Sequence, residues 1–319
     1  YTLRYYLRED YPALTELVHA ANSALGDERR ITAEQLAVYI DVPDFNPRTD
    51  SFIFEDGGRI IAMSNQGFSA ASGLCWADSV VHPEYWGQSI GAELIRLSEA
   101  RCLEWAESAL TPEQPVSIRL ATGGSNTRAQ RLFAAHGYQP ARTFYGMRIE
   151  LDQPVEVAPL PAGIDLRSFD WERDAHAVYE AAMDAFADHW GHERESYEKW
   201  AQHILKHPYH DFSLWVVAYA GDEIAGICLN RSDGEDLALA WVGTLGVRPR
   251  WRRQGLGRAL LRTSFARFQA CGYASAELMV DAANLTNAVA LYERAGMDIL
   301  RRRLVYHKLL REQALEETP

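Results

Sequence analysis

Arg252-x-x-Gly255-x-Gly257 has the most direct chemical reading in this chain. Glycines let a backbone approach a ligand closely, and amides at the start of a following helix point into the turn, so such a turn can hold an anion. Arg250, Arg252, Arg253 and Arg258 fall within nine residues, and guanidinium groups there would add charge-assisted contacts to phosphate. Gly-x-Gly by itself equally permits a tight strand-to-helix turn with the arginines as a solvated edge. A dinucleotide fingerprint fits less well, since the third glycine it needs would fall where Leu260 stands.

The flanking pattern supplies the elements that would position such a turn. Residues 163–168 read as a strand, 175–186 and 197–207 as helices, and 214–219 with 223–230 as a hairpin around Gly221-Asp222. Residues 237–247 form a nearly all-apolar run, as expected of a strand covered on both faces. After the glycines, Leu260, Leu261, Phe265 and Phe268 recur at helical spacing. A strand over 276–280 follows, then a helix marked by Ala288, Leu291, Tyr292 and Ala295 that Gly296 would end, and a closing strand near 304–309.

The same order occurs earlier in the chain. Residues 81–95 align with 247–261, sharing Val, Pro, Gln, Gly and Leu at five of fifteen positions, and 132–138 align with 291–297. An internal repeat of this length means two similar units. The stretch 152–163 carries three prolines and suits an extended connection. The expected organisation is a first domain over 1–153, a linker over 154–162 and a second domain over 163–319.

Strand, Arg252-x-x-Gly255-x-Gly257 and helix resemble the pyrophosphate-binding motif of the GNAT superfamily of N-acetyltransferases. Val247-Arg-Pro249 before it, and Asn284 through Leu291-Tyr292-Glu-Arg-Ala-Gly-Met297 after it, look like that family's flanking elements. The resemblance covers about 150 residues of each copy. It implies an α/β (α+β) fold of two tandem GNAT-like domains, each a mixed central β-sheet flanked by helices. It also implies an acetyl-CoA-dependent N-acetyltransferase that moves an acetyl group to a primary amine of a small molecule by direct attack, without a metal.

Carried over residue by residue, the resemblance assigns the pyrophosphate to Arg252, Arg253, Gln254, Gly255, Leu256, Gly257 and Arg258. Leu245, Gly246 and Val247 would pair with the pantetheine arm, Asn284 would contact it, and an amide near Leu245 or Gly246 would stabilise the developing oxyanion. Tyr292 matches the general acid, although position 292 also belongs to an apolar helical stripe. The base is open: some members of that family place Glu on the fourth strand, whereas Trp241, Gly243 and Thr244 stand here. Titratable candidates are Glu235 and Asp236 before that strand, and Asp188, His189 and His192 in a loop whose aromatic and acidic content would suit a cationic amine. An ordered water relay is the other choice.

In the first copy Trp86 and Ser89 replace Arg252 and Gly255, and Phe133 replaces Tyr292. Each change removes something the reaction uses, so the first copy reads as non-catalytic. A tandem pseudoenzyme that binds acyl-CoA or a metabolite without transfer is the alternative; retention of Arg252, Gly255, Gly257 and Tyr292 together argues for transfer.

Composition bounds the partners. The 319 residues are 47% hydrophobic and 24% charged, as in ordinary globular proteins. A net charge of −12 repels nucleic acid. No apolar run approaches the roughly 20 residues of a membrane span, and the start, Tyr-Thr-Leu-Arg-Tyr-Tyr, lacks a secretion signal, which leads to a cytoplasmic expectation. Cys75, Cys102, Cys228 and Cys271 have no ligand or redox spacing and read as reduced. Monomer and homodimer are both compatible with a fused pair of copies.

Overall fold

Capping residues start the helices where the periodicity calls for them. Asp170 accepts from the Arg173 amide at 3.0 Å and Ser196 from that of Lys199 at 3.3 Å, each satisfying a donor that the first turn leaves unpaired. The computed structural model describes residues 1–27, 30–40, 45–207, 209–233, 238–284 and 287–312. Its first half contains β1 (Thr2–Arg4), α1 (Tyr11–Ala24), α2 (Ala33–Ile40), β2 (Ser51–Asp56), β3 (Arg59–Ser69), β4 (Leu74–Val81), α3 (Ile90–Ala109), β5 (Val116–Gly123), α4 (Thr127–Ala135) and β6 (Gln139–Glu150). The second half repeats the order with β7 (Ile164–Arg167), α5 (Trp171–Phe186), α6 (Tyr197–Lys206), β8 (Val216–Ala220), β9 (Glu223–Ser232), β10 (Leu239–Val247), α7 (Leu256–Ala270), β11 (Ser275–Asp281), α8 (Ala288–Arg294) and β12 (Asp298–Arg311).

Two compact units form, one from Tyr1–Thr143 with the chain from Arg303 onward, the other from Phe144–Arg302. In the first, β1 to β4 pair antiparallel in sequence order, and β4 pairs parallel with β5. Residues 303–311 of β12 complete that sheet antiparallel to β5. In the second, β7 to β10 pair antiparallel, β10 and β11 are parallel, and residues 144–150 of β6 complete the sheet along β11. Within each unit, one of the paired strands therefore comes from the other half of the sequence.

This corrects the expectation that residues 304–309 close the second copy: the pairing of Leu304 with Thr122 through Leu309 with Ser117 puts them in the first unit. The units divide at 143/144 and 302/303, whereas the proline-rich stretch lies wholly inside the second unit. It has no regular structure and runs along α7, where Gln269 Oε1 accepts from the Val155 amide at 3.2 Å and Arg262 Nε donates to the Glu156 carbonyl at 2.8 Å. Leu214 and Trp215, expected in a strand, lie at a single 3-10 turn over Phe212–Leu214 and the residue after it.

In the second unit the sheet has an apolar layer on each face. Beneath α7 and α8, Val242, Leu256, Leu260, Phe265, Leu278 and Tyr292 share one cluster; beneath α5 and α6, Tyr179, Trp200, Trp215 and Ile227 share another. Both units carry an equivalent buried polar cluster. Asn230 Nδ2 donates to Ser264 Oγ at 2.9 Å, and Gln66 Nε2 donates to Ser98 Oγ at 3.2 Å; Ser264 and Ser98 both donate back to a helix carbonyl one turn earlier. The four cysteines are not all free thiols as expected. Cys75 on β4 and Cys102 on α3, with Cα atoms 6.0 Å apart, form a disulfide because that helix packs on that strand; Cys228 and Cys271 are free.

Candidate active site

Two backbone features of β10 build the site. Its parallel pairing with β11 covers only Leu239–Trp241 against Ser275–Glu277, so the two strands diverge from Val242 onward. On its other side the register with β9 slips between Val242 and Thr244, leaving Gly243 as the extra residue of a β-bulge. A bulge re-aims backbone groups locally, and the splayed half of β10 presents edge amides and carbonyls to whatever enters the wedge. The sequence contained a signal for the bulge, since an isolated glycine in a strand pattern often marks one.

Beyond β10 the turn adopts the cradle conformation. Arg253 (φ 63°) and Gly255 (φ 87°) are left-handed, and α7 starts on Gly255 with no side chain capping it. The first amides of α7 therefore lack intrahelical partners and carry the positive end of the helix dipole. A Cβ at Gly255 would meet nothing within 4 Å, so the space above it is open to a ligand. Gly257 plays a different part: its Cβ would touch Leu291 at 3.5 Å and Val247 at 3.7 Å, ordinary contacts. Gly246 is required by packing, because a Cβ there would lie 2.8 Å from that of Ala185 on α5.

Tyr292 is buried on α8, and its hydroxyl has no hydrogen-bond partner among the described residues. Burial, with the Cys228 thiol nearby, raises its pKa, so the phenol stays protonated at neutral pH. Tyr292 shares an apolar cluster with Cys228, the cross-strand partner of Leu245, and Leu245 packs against that cluster. Asn284 lies in the β11–α8 loop, where its amide donates to the Asp281 carbonyl at 3.1 Å.

Among the base candidates, Glu235 and Asp236 lie outside the described residues. Asp188 is ion-paired with Arg252 at 2.6 Å, which holds its carboxyl below the usual range and leaves it little basicity. His189 packs edge-on against Phe186, with ring centroids 4.4 Å apart. Burial lowers its pKa, so it is neutral and carries a free lone pair at pH 7. Besides Asp188, Arg252 and His192, the charges that act on it include Asp281, the last residue of β11. The contacts of Arg252 with Asp188 and the Ala185 carbonyl place the start of the loop after α5 beside the turn that leads from β10 into α7.

The first unit keeps part of this construction. β4 and β5 also diverge after Ala77, and Gly87 and Ser89 are left-handed at φ 84° and 65°. Its β3–β4 register, however, is unbroken from Ala62 to Ser69, with no bulge. Phe133 packs against Tyr306 at 5.3 Å in place of the tyrosine.

Family comparison agrees with the geometry. A model of the acetyltransferase (GNAT) family matches residues 175–297, and one of the acetyltransferase (GNAT) domain matches 47–140. A mycothiol acetyltransferase of Thermobispora bispora is 31% identical over 237 residues, covering 70% of this chain and 74% of that one. The chain belongs to the GNAT acetyltransferase family. A mycothiol acetyltransferase of Streptomyces coelicolor is 26% identical across 91% of this chain and 90% of its own. The crystal structure of a GCN5-related N-acetyltransferase from Sphaerobacter thermophilus superposes with a TM-score of 0.82 at 30% identity, covering 97% and 96% of the two chains. A tandem GNAT protein from the clavulanic acid biosynthesis pathway shares the fold, with a TM-score of 0.74. The present chain, with two GNAT domains in tandem, is an N-acetyltransferase. Among the described residues no group of three or more His, Cys, Asp or Glu could hold a metal, and no helix is long and apolar enough to cross a membrane.

Proposed function

We propose that the second unit transfers an acetyl group from acetyl-CoA to the primary amine of a small molecule, and that the first unit is non-catalytic. The observation that carries this reading is the bulged, splayed β10 running into an uncapped left-handed turn in the one copy that also has Tyr292. The amides of residues 253–258 would hold the pyrophosphate, with Arg253 and Arg258 adding charge. The edge of Leu245–Val247 would pair with the pantetheine arm, and Asn284 would contact it from the β11–α8 loop. Acetyl-CoA supplies an activated carbonyl.

The protein's own residues then divide the work. A backbone amide next to the Gly243 bulge stabilises the charge that develops on the carbonyl oxygen. His189, neutral at pH 7, takes the proton of the attacking amine. Tyr292, kept protonated by burial, gives its proton to the departing thiolate. Because acetyl-CoA is an intracellular metabolite, the reaction belongs in the cytoplasm. The relatives' name makes a mycothiol-type amine the first acceptor to try.

The test is release of thiol from acetyl-CoA by the purified chain. It would be run with the acceptor of the mycothiol acetyltransferases and with aminoglycoside, polyamine and peptide amines. Acceptor-dependent release supports the reading; absence of both release and acetyl-CoA binding would overturn it.

A further inference from the structure

Arg252 occupies the place where a phosphate-binding arginine is expected, yet its guanidinium is already engaged by the protein. Nε donates to the Val247 carbonyl at 3.1 Å, Nη1 to Asp188 Oδ2 at 2.6 Å, and Nη2 to the Ala185 carbonyl at 3.0 Å and Asp188 Oδ1 at 3.3 Å. Four of its five N–H donors are thus committed. The first unit offers an internal comparison. Trp86, at the equivalent position, donates Nε1 to the carbonyl of Val81, the counterpart of Val247, at 2.8 Å. Holding the end of the strand is therefore common to both copies, and a neutral indole suffices for it.

What the second unit adds is the link to the acceptor-side loop. Ala185 belongs to the last turn of α5, Asp188 lies just beyond it, and His189 follows. Arg248, from the same β10–α7 turn, reaches Asp184 at 2.6 Å. A cation at a helix C-terminus is also favoured by the dipole. We propose that Arg252 is a positioning residue, not a phosphate ligand: it ties the loop carrying Asp188 and His189 to the turn that holds the acyl donor, so that acceptor recognition depends on their attachment. This rests on the acetyltransferase reading of the second unit.

The experiment compares Asp188→Asn, Arg252→Gln and the double variant. First, amide hydrogen exchange of residues 187–195 in the ligand-free protein should speed up roughly tenfold in all three, the size expected from losing one bidentate charge-assisted link. This arm needs no activity, so it stands even if the acetyltransferase reading fails. Second, the acceptor KM should rise roughly tenfold in each single variant with kcat changed far less, and the double variant should be no worse than either, as for two partners of one interaction. Third, the acetyl-CoA Kd should stay within about threefold of wild type. The proposal is overturned by unchanged exchange in the loop, or by Arg252→Gln weakening acetyl-CoA binding tenfold or more while Asp188→Asn leaves the acceptor KM unchanged.

Discussion

Replacing Gly255 by Glu puts a carboxylate where the pyrophosphate is expected, and the structure separates its effect on folding from its effect on binding. At φ 87° a side chain costs roughly 1–2 kcal/mol of backbone strain. A Cβ would strike nothing within 4 Å, and Ser89 shows that the equivalent turn accepts a side chain at φ 65°. Folding should survive with a small loss of thermal stability. Binding should not: the side chain fills the open side of the cradle, and charge-assisted contacts are worth about 1.5–3 kcal/mol each. Losing two amounts to about 3–6 kcal/mol, or at least a hundredfold in Kd. Isothermal titration with acetyl-CoA measures this directly, with Gly255→Ala as the companion that carries the strain but not the charge. Affinity within threefold of wild type in the Glu variant would refute the assignment of this turn as the donor site. Equal losses in the Ala and Glu variants would show that turn strain dominates.

Four further outcomes follow from the structure. Tyr292→Phe should lower kcat by about 10²–10⁴ while leaving the acetyl-CoA Kd within about twofold, because it removes only a proton donor whose hydroxyl has no hydrogen-bond partner among the described residues; unchanged turnover would remove the tyrosine from the chemistry. Gly257→Ala should be neutral or stabilise by up to about 1 kcal/mol through helix propensity. Gly226→Ala, whose Cβ would come within 2.9 Å of Leu260 and 3.1 Å of the Gly246 carbonyl, should destabilise by about 1–3 kcal/mol in thermal melts. His210 is lowered to about 4 by burial first, then by His207 and Arg231, and its Nδ1 has no hydrogen-bond partner among the described residues. Its unfolded pKa is higher, so its stabilising effect is complete above about pH 6.5 and is lost as pH falls toward 4, costing about 2 kcal/mol after allowance for partial exposure. Urea midpoints against pH should show this acid loss shrinking in His210→Phe.

Much of the candidate site's framework was legible because its turn and helix are local features. The motif from Arg252 to Gly257, and Tyr292, are separated from their supporting elements by a few residues, so turn chemistry and helical spacing suffice to locate them. Three features were not legible. The exchange of closing strands is one: Leu304-Val-Tyr-His-Lys-Leu309 reads as a strand by composition, which fits β5 as well as β11, so local sequence does not say which strand it pairs with. The engagement of Arg252 is another, because Asp188 lies far away in sequence and acts through a helix end. The third is the Cys75–Cys102 pair, which only the packing of α3 on β4 brings together. Gly243 lies between: the isolated glycine was visible, but its meaning as a bulge needed the register with Leu229 and Asn230.

The two units show which parts of this construction serve the fold and which serve the reaction. The buried Asn230–Ser264 and Gln66–Ser98 pairs, the left-handed turns and the capped strand-end carbonyls occur in both. An unsatisfied buried amide costs about 1–3 kcal/mol, so these features are held by stability whether or not a copy performs chemistry. The bulge at Gly243, the tyrosine at 292 and the Arg252–Asp188 link occur only in the second unit. None of them is needed to hold the sheet together, since the first unit folds on an unbroken β3–β4 register with Trp86 and Phe133 in place. Features that folding does not demand, gathered around one wedge, are what a reaction there would select.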